Sequence, residues 1–348
     1  MNFNSFKDID MTTRFNPLAR VLPAISAALA LFAGAATADT VTVYSARNEQ
    51  LIKPLFDAYT KETGTKIQVL TDKEGPLLER LKAEGAKSPA DVLITVDAGN
   101  LWHASQMGLL QPIKSSVLNT NVPANLRDPK GEWYALSIRA RTIIYNKKFV
   151  NPSQLSTYEA LAEPQWKGKL CLRTSKKVYN QSLVATMIAT LGEKRTEEVV
   201  RGWVGNLATD VFADDNAVIK AVAAGQCEVG IVNTYYLARA LDKDPNMPVG
   251  LFWANQKERG VHVNISGAGV TRAAPNAAGG QRLIEWLSSE TAQGIYTNDD
   301  FEYPVNQKVK PDSIIRHWGP YKMDLINVSK AGELQGAATR LMDRAGYR

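Results

Sequence analysis

The chain has 348 residues, of which 45% are apolar and 22% are charged, a composition typical of a globular protein with two domains or one large domain. Lys and Arg number 41 against 35 Asp and Glu, with no long basic block, so the charge gives little support to binding of nucleic acid or of a membrane surface. The three His and two Cys residues exclude a zinc finger, an HExxH helix and an iron–sulfur framework, so a metal site here would need oxygen ligands.

The first 38 residues contain the three parts of a cleaved secretory signal. Basic residues Lys7, Arg14 and Arg20 precede an apolar run at 21–34, and small residues at 36–38 come just before the mature chain. The apolar run has about 14 residues, whereas a membrane-spanning helix needs roughly 20. We therefore predict that residues 1–38 are a signal peptide, with a membrane anchor as the alternative.

Strand and helix patterns alternate from the start of the mature chain. A β-branched strand at 41–44 precedes a helix at 49–62, whose apolar residues are spaced three and four apart. The series continues with a strand at 65–70, a helix at 76–84, a strand at 92–96 and a helix at 98–107. Repeated βα units predict an α/β fold with a mainly parallel sheet and helices on both faces.

Two extended, β-rich stretches at 136–146 and 261–271 interrupt this series. A second α/β block lies between them, with strands at 169–172 and 229–232. The two stretches therefore predict crossover strands that connect two lobes, one inserted within the other.

The predicted lobe boundaries follow from these crossovers. Lobe 1 is expected at 39–138 and 265–348, and lobe 2 at 139–264. The final helix, at 334–344, is expected to pack on lobe 1. Ligands of open α/β sheets bind beyond the carboxyl ends of the strands, which places the ligand in the cleft between the lobes.

The mature chain has only two cysteines, Cys171 and Cys227. In an oxidising compartment, which the predicted export signal implies, they are expected to form a disulfide. Two buried thiols are the alternative that the sequence leaves open.

Several motifs form a recognisable set. They are Asp91-Val-Leu-Ile-Thr-Val-Asp97 with Leu101, Gly108-Leu-Leu-Gln-Pro112, and Trp133-Tyr-Ala-Leu-Ser137 with Arg139 and Arg141 before Tyr145-Asn146. This set resembles the periplasmic solute-binding proteins of ABC transporters with two crossover strands. The resemblance implies a two-lobe periplasmic-binding-protein fold of type II, with the crossover strands as its hinge.

Three further motifs narrow the resemblance. They are Val43-Tyr44-Ser45-Ala46-Arg47, Ser175-Lys-Lys-Val-Tyr179-Asn180-Gln181-Ser182 and Asn233-Thr-Tyr235-Tyr236-Leu-Ala-Arg239. They resemble the ferric-ion-binding proteins of bacterial iron uptake, and the resemblance covers essentially all of the mature chain. The adjacent tyrosines are its most specific element, because the helix-and-strand framework is shared by binders of unrelated solutes.

The ferric resemblance implies four metal ligands: Tyr44 in lobe 1, and Tyr179, Tyr235 and Tyr236 in lobe 2. Ferric ion favours anionic oxygen, and a bound cation favours the deprotonated form of a phenol whose reference pKa is about 10. Consecutive residues inside a helix point about 100° apart, but in the first turn after the strand at 229–232 both tyrosines of the pair can face a cleft.

Four phenolates would leave negative charge around Fe³⁺, and arginine is suited to compensate it. Arg47 and Arg239 each lie three residues after a ligand tyrosine, and either Arg139 or Arg141 of the first crossover strand is expected to face the cleft, with Arg141 preferred. Solvated or interlobe salt bridges are the alternative for these arginines. Some relatives supply a histidine from the early loops, and none is present near Tyr44, so water, carbonate or another small anion is expected to fill the remaining coordination positions.

The function that the resemblance implies is capture of Fe³⁺ in the periplasm by a monomer, with delivery to an ABC permease of the inner membrane. An anion, polyamine or thiamine-like solute bound by the same fold is the alternative. A secreted enzyme is a third hypothesis, against which the chain shows no GxSxG elbow, paired-carboxylate motif or cofactor fingerprint.

Overall fold

A computed structural model describes residues 39–348, so the predicted signal peptide lies outside the described residues. The strands are β1 (Thr40–Ser45), β2 (Lys66–Thr71), β3 (Val92–Val96), β4 (Tyr134–Asn146), β5 (Leu170–Cys171), β6 (Val229–Asn233), β7 (Val249–Phe252), β8 (Val263–Val270) and β9 (Tyr303–Pro304). Among the described residues, none of the helices has the length and apolar character needed to span a bilayer.

The helices follow the strands in the alternation that the sequence predicts. They are α1 (Glu49–Thr63), α2 (Glu74–Glu84), α3 (Ala98–Gln106), α4 (Ser116–Asn121), α5 (Val178–Leu191), α6 (Glu193–Gly205), α7 (Asp215–Ala224), α8 (Thr234–Lys243), α9 (Ala277–Leu287), α10 (Glu290–Asp300), α11 (Ser313–Arg316), α12 (Lys330–Glu333) and α13 (Gln335–Arg344). Short 3₁₀ turns, such as Glu159–Ala162, occur in the connections.

The strands form one mixed sheet in the order β2-β1-β3-β8-β4-β6-β5, and β7 and β9 also pair with β4. The parallel pairing expected of βα units is found between β1 and β2, β1 and β3, and β5 and β6. The other pairs are antiparallel, and each of them contains β4 or β8.

Strand β4 changes partners along its length. Its residues from Tyr134 to Ala140 pair with β8, and those from Arg141 to Tyr145 pair with β6. We call β1, β2, β3, β8, β9 and this first part of β4 the first half-sheet, and β5, β6, β7 and the second part of β4 the second half-sheet. One continuous strand therefore connects the two halves, as the β-rich stretch at 136–146 predicts. The residue boundaries assigned to the lobes stay a prediction.

Cys171 and Cys227 form a disulfide with a Cα–Cα distance of 5.8 Å, as predicted. Cys171 ends β5, and Cys227 comes just before β6, the strand that pairs with β5. Both cysteines are buried in a cluster of apolar side chains that includes Ile144 and Val218. The disulfide therefore fastens the second half-sheet at its core.

The C-terminal helix lies elsewhere than expected. Helix α13 packs on α5 and α6, and Arg344 makes ion pairs with Glu193 and Glu197 of α6. These helices fall within the predicted lobe 2, so the expectation that the final helix packs on lobe 1 is wrong. The physical reason is α5, which is apolar on almost every side and needs a further helix to cover it.

Asp97 connects three elements at the end of β3. Its φ of 88° is unusual for a residue with a side chain, and the carboxylate is fully buried. It accepts hydrogen bonds from the hydroxyl of Ser182 in α5 at 2.8 Å and from the amide of Asn264 in β8 at 2.8 Å. Burial raises the pKa of this carboxyl to about 6, although Arg139 works against the shift.

Candidate functional site

Three of the four predicted ligand tyrosines lie together. Tyr235 and Tyr236 occupy the first turn of α8, just after β6 ends at Asn233, and Tyr179 occupies the first turn of α5. The hydroxyl of Tyr235 lies 3.4 Å from the hydroxyl of Tyr179, and the ring centroids of Tyr235 and Tyr236 are 4.4 Å apart. The position at a helix start therefore places the two rings of the pair side by side, with the hydroxyl of Tyr235 next to that of Tyr179. We call these three residues the tyrosine cluster.

Two members of the tyrosine cluster are nearly dehydrated, and this favours the protonated form of their phenols. Tyr179 and Tyr235 are 8% and 7% exposed. Burial raises the pKa of Tyr179, an effect that Arg139 opposes and Tyr236 reinforces. Burial raises the pKa of Tyr235 further, and negative charge on Tyr179 or Tyr236 would raise it more. A cation bound among the three oxygens would reverse this preference, because it favours the ionised phenol.

Four basic side chains surround the cluster. Their charged groups lie over tyrosine rings at cation–π distances from the ring centroid. Arg139 is at 5.3 Å, Arg173 at 5.5 Å and Lys177 at 5.0 Å from the ring of Tyr179, and Arg239 is at 5.1 Å from the ring of Tyr235. The site therefore combines phenol oxygens, which can bind a cation, with basic side chains, which attract an anion.

Two of these arginines have buried nitrogens without a hydrogen-bond partner. They are Nη2 of Arg139 and both Nε and Nη1 of Arg173. Arg139 donates through Nη1 to Ser266 at 3.3 Å, and Nη1 of Arg173 lies 3.7 Å from the carboxylate of Asp215, in an ion pair too long for a hydrogen bond. Buried donors in proteins are normally paired, so these nitrogens mark a place for an anionic or neutral acceptor beside Tyr179.

Arg141, the crossover-strand arginine preferred from the sequence, already has hydrogen-bond partners within the protein. Its guanidinium donates to Asn180 at 2.8 Å, to Asp215 at 3.0 Å and to the carbonyl of Ile231 at 3.1 Å. Burial alone would lower the pKa of Arg141, but Asp215 raises it, so the ion pair is retained. Arg141 therefore braces the second half-sheet, and Arg139 is the crossover-strand arginine that faces the tyrosine cluster.

The other two predicted arginines differ from each other. Arg47 is enclosed by Asp300 at 2.5 Å and Glu302 at 3.2 Å, which together hold its pKa above the ordinary value although burial opposes this. Arg239 donates to the backbone carbonyl of Asp300 at 3.3 Å while stacking on Tyr235. Arg239 therefore connects the tyrosine cluster to Asp300 at the end of α10. Arg47 stabilises this connection because it forms an ion pair with the same residue.

Tyr44 is not brought to the cluster. Its hydroxyl donates to the carboxylate of Glu84, with oxygen–oxygen distances of 2.9 and 3.1 Å, and Arg80 lies over its ring. Burial raises the pKa of this phenol, and the Glu84 carboxylate raises it further. Glu84 ends α2, so these contacts attach the hydroxyl of Tyr44 to α2 and not to the tyrosine cluster.

His103 and His262 have partners other than the tyrosine cluster. His262 is buried, contacts the hydroxyl of Thr186 at 3.0 Å, and has its pKa lowered to about 3 by burial and by nearby arginines. His103 contacts Gln335 at 2.7 Å. Within residues 39–348, no group of three or more His, Cys, Asp and Glu side chains is arranged to hold a metal ion.

Comparison with known families decides the class of protein. The family model for bacterial extracellular solute-binding proteins matches residues 87–317, more than half of the chain. The chain belongs to this family. The solute-binding protein is 43% identical over 314 residues to iron uptake protein A1 of Synechocystis, an alignment that covers 88% of this chain and 87% of that protein. It is 42% identical over 316 residues to iron uptake protein A2 of the same organism, covering 88% and 90%.

Solved structures agree with this assignment. The solute-binding protein superposes with a TM-score of 0.85 on the Trichodesmium protein IdiA (FutA) in complex with iron and citrate, at 46% identity, covering 89% of this chain and all of that one. It superposes with a TM-score of 0.83 on ferric iron-binding protein A of Mannheimia haemolytica in an open conformation, at 36% identity, covering 89% and 99%. These matches confirm the predicted two-lobe fold of type II.

Proposed function

We propose that this solute-binding protein captures ferric ion with Tyr179, Tyr235 and Tyr236 and delivers it to an ABC permease. The observation that carries the proposal is the tyrosine cluster, in which three phenols from two helix starts converge with a 3.4 Å contact between two of their oxygens. We further propose that the protein acts as a monomer in the periplasm after removal of residues 1–38, and that it performs no reaction on the ion.

The charges of the site fit a trivalent ion. Three phenolates supply three negative charges, which balance Fe³⁺ within the site. The basic groups around them then leave an excess of positive charge, which a small anion would neutralise. We propose that Arg139 and Arg173, with their unpartnered nitrogens, hold carbonate or a comparable oxyanion that completes the coordination of iron together with water.

Tyr44 is the weakest member of the ligand set that the ferric resemblance implies. To bind iron with the cluster, its hydroxyl would first have to leave the two contacts with Glu84. We therefore propose a site of three tyrosines, in which Tyr44 stabilises the packing of α2 on β1 instead of binding the ion.

The test is the visible absorption spectrum of the purified, metal-free protein on addition of ferric citrate. Phenolate-to-iron charge transfer should colour the parent protein, and Tyr→Phe substitution at 179, 235 or 236 should weaken both the band and the affinity. Tyr44→Phe is the matched control and should retain both. A parent protein without the band, or three cluster variants that bind iron as the parent does, would refute the proposal.

A second candidate function is binding of a small anion without metal, which the free nitrogens of Arg139 and Arg173 favour. Arginine sites of this kind stay charged across the neutral range, so anion binding would be nearly independent of pH and would not need iron. Calorimetric titration of the metal-free protein with bicarbonate or inorganic phosphate separates the two functions. Tight binding without iron, unaffected by Tyr235→Phe, would favour this second function.

A further inference from the structure

The loop between β5 and α5, residues 172–177, carries two of the basic side chains that cover Tyr179. Arg173 and Lys177 both lie over the tyrosine ring, and Lys177 also precedes the first turn of α5. No side chain caps the start of this helix. The position of the loop, and with it the direction of Arg173, is therefore set by contacts from other parts of the chain.

Two sets of contacts hold the loop from within its own half of the molecule. Its backbone pairs with Phe212, which accepts from Thr174 at 2.8 Å and donates to Leu172 at 2.9 Å. The amide of Asn180 donates to the carbonyls of Arg173 and Thr174, both at 2.9 Å. These contacts fix the middle of the loop on one side.

The segment after α13 holds the loop from the other side. The hydroxyl of Tyr347 donates to the carbonyl of Arg173 at 2.6 Å, and the backbone N–H of Ser175 donates to the carbonyl of Arg348 at 2.9 Å. Gly346, with a φ of 80°, turns the chain after the helix so that Tyr347 points inward, where it is 1% exposed. The carbonyl of Arg173 thus accepts two hydrogen bonds, one from each side.

The surroundings of Tyr347 keep it a hydrogen-bond donor. Burial raises the pKa of its phenol, as does the negative charge of Asp215, while the positive charges of Arg141 and Arg173 lower it. The phenol is therefore neutral at pH 7 and retains the proton that it donates to the loop. With its backbone held in this way, Arg173 keeps Nε without a hydrogen-bond partner beside Tyr179, while Nη1 lies 3.7 Å from the carboxylate of Asp215.

We infer that Tyr347 is a positioning residue of the iron site: through its hydrogen bond to the carbonyl of Arg173 it holds that arginine where its unpartnered Nε meets the anion bound with iron. The inference rests on the proposed function, because the role of Arg173 is defined by the ferric site. It assigns a function in ligand binding to the segment that follows α13, residues 346–348.

The test is a double-mutant cycle on ferric affinity, measured by competition with citrate in bicarbonate buffer. Tyr347→Phe keeps the ring and removes only the donor, and should weaken ferric binding roughly three- to tenfold. Arg173→Gln should weaken it further, and the double variant should be no weaker than Arg173→Gln alone, because Tyr347 acts through Arg173. Tyr134→Phe is the matched control, since it also removes a buried hydroxyl that contacts a backbone carbonyl, that of Ile113, and it should bind iron as the parent does.

Two results would overturn the inference while leaving the ferric site in place. One is a Tyr347→Phe variant with the affinity of the parent, and the other is a double variant whose loss is the sum of the two single losses. A parent protein that binds no iron removes the proposed function and the inference together, and is distinguished because the failure then appears before any substitution. Thermal unfolding of the metal-free variants should show that Tyr347→Phe and Tyr134→Phe are destabilised to a similar extent, so that the difference in ferric affinity is not a difference in folding.

Discussion

Ferric binding should release three protons at pH 7, one from each phenol of the tyrosine cluster. The reference pKa of a tyrosine is about 10, so the free phenols hold their protons at neutral pH. Burial raises the pKa of Tyr179 and Tyr235, and the 3.4 Å between their oxygens makes a second ionisation harder than the first. Each proton must leave before its oxygen binds iron, so the ferric affinity should fall by about three powers of ten for each pH unit of acidification.

The assay is calorimetric titration with ferric citrate in several buffers that differ in ionisation enthalpy. Citrate and the hydrolysis of ferric ion contribute protons of their own, so the decisive quantity is the difference between variants. Tyr235→Phe should release one proton fewer than the parent, and Tyr44→Phe should release the same number. Equal release by the parent and Tyr235→Phe would refute phenolate ligation by that residue, and one proton fewer from Tyr44→Phe would return Tyr44 to the ligand set.

Three predictions concern the metal-free protein. Asp215→Asn should lower the free energy of unfolding in urea by about 3 kcal/mol, because Arg141 loses its buried partner, whereas Glu197→Gln, which breaks exposed ion pairs, should barely change it. Burial raises the pKa of Asp97 from 3.8 to about 6. Because the unfolded chain loses this proton at a lower pH than the folded protein does, the free energy of unfolding should fall by up to about 3 kcal/mol between pH 4 and pH 6. Asp97→Asn should abolish this pH dependence of the free energy of unfolding in urea titrations. Replacing both cysteines by serine should lower stability by up to about 4 kcal/mol, since the disulfide closes a loop of 56 residues, and thiol titration of the unreduced, denatured parent should detect no free thiol.

The sequence predicts best what depends on local pattern. Strand β3 is found at the residues expected, because a short apolar run followed by a helix signal has few other solutions. The placement of Tyr235 and Tyr236 at a helix start is also local, since it needs only the end of β6 and the residues that open α8. The disulfide follows from the predicted compartment and from the presence of two cysteines alone.

Tertiary contacts, in which distant parts of the chain pack together, cannot be predicted from such local sequence patterns. Alternation along β4 shows that Arg139 and Arg141 share a face, but the partner change between Ala140 and Arg141 decides which of them reaches the tyrosine cluster. The stripe on α13 indicates that one face is buried, and the helix that covers it is set by the shape of the whole fold. Arg173 lies in a loop between a two-residue strand and a helix, where periodicity gives no signal.

The continuity of β4 has a consequence for the order in which the protein can assemble. The second half-sheet draws its strands from one uninterrupted stretch, residues 141–252, and the disulfide closes within that stretch. The first half-sheet combines β1 to β3 with β8 and β9, which come from the last third of the chain. A chain that emerges from its N-terminal end therefore presents every strand and both cysteines of the second half-sheet while the first half-sheet still lacks β8, and the exposed edge of β3 is the surface that needs protection in the meantime.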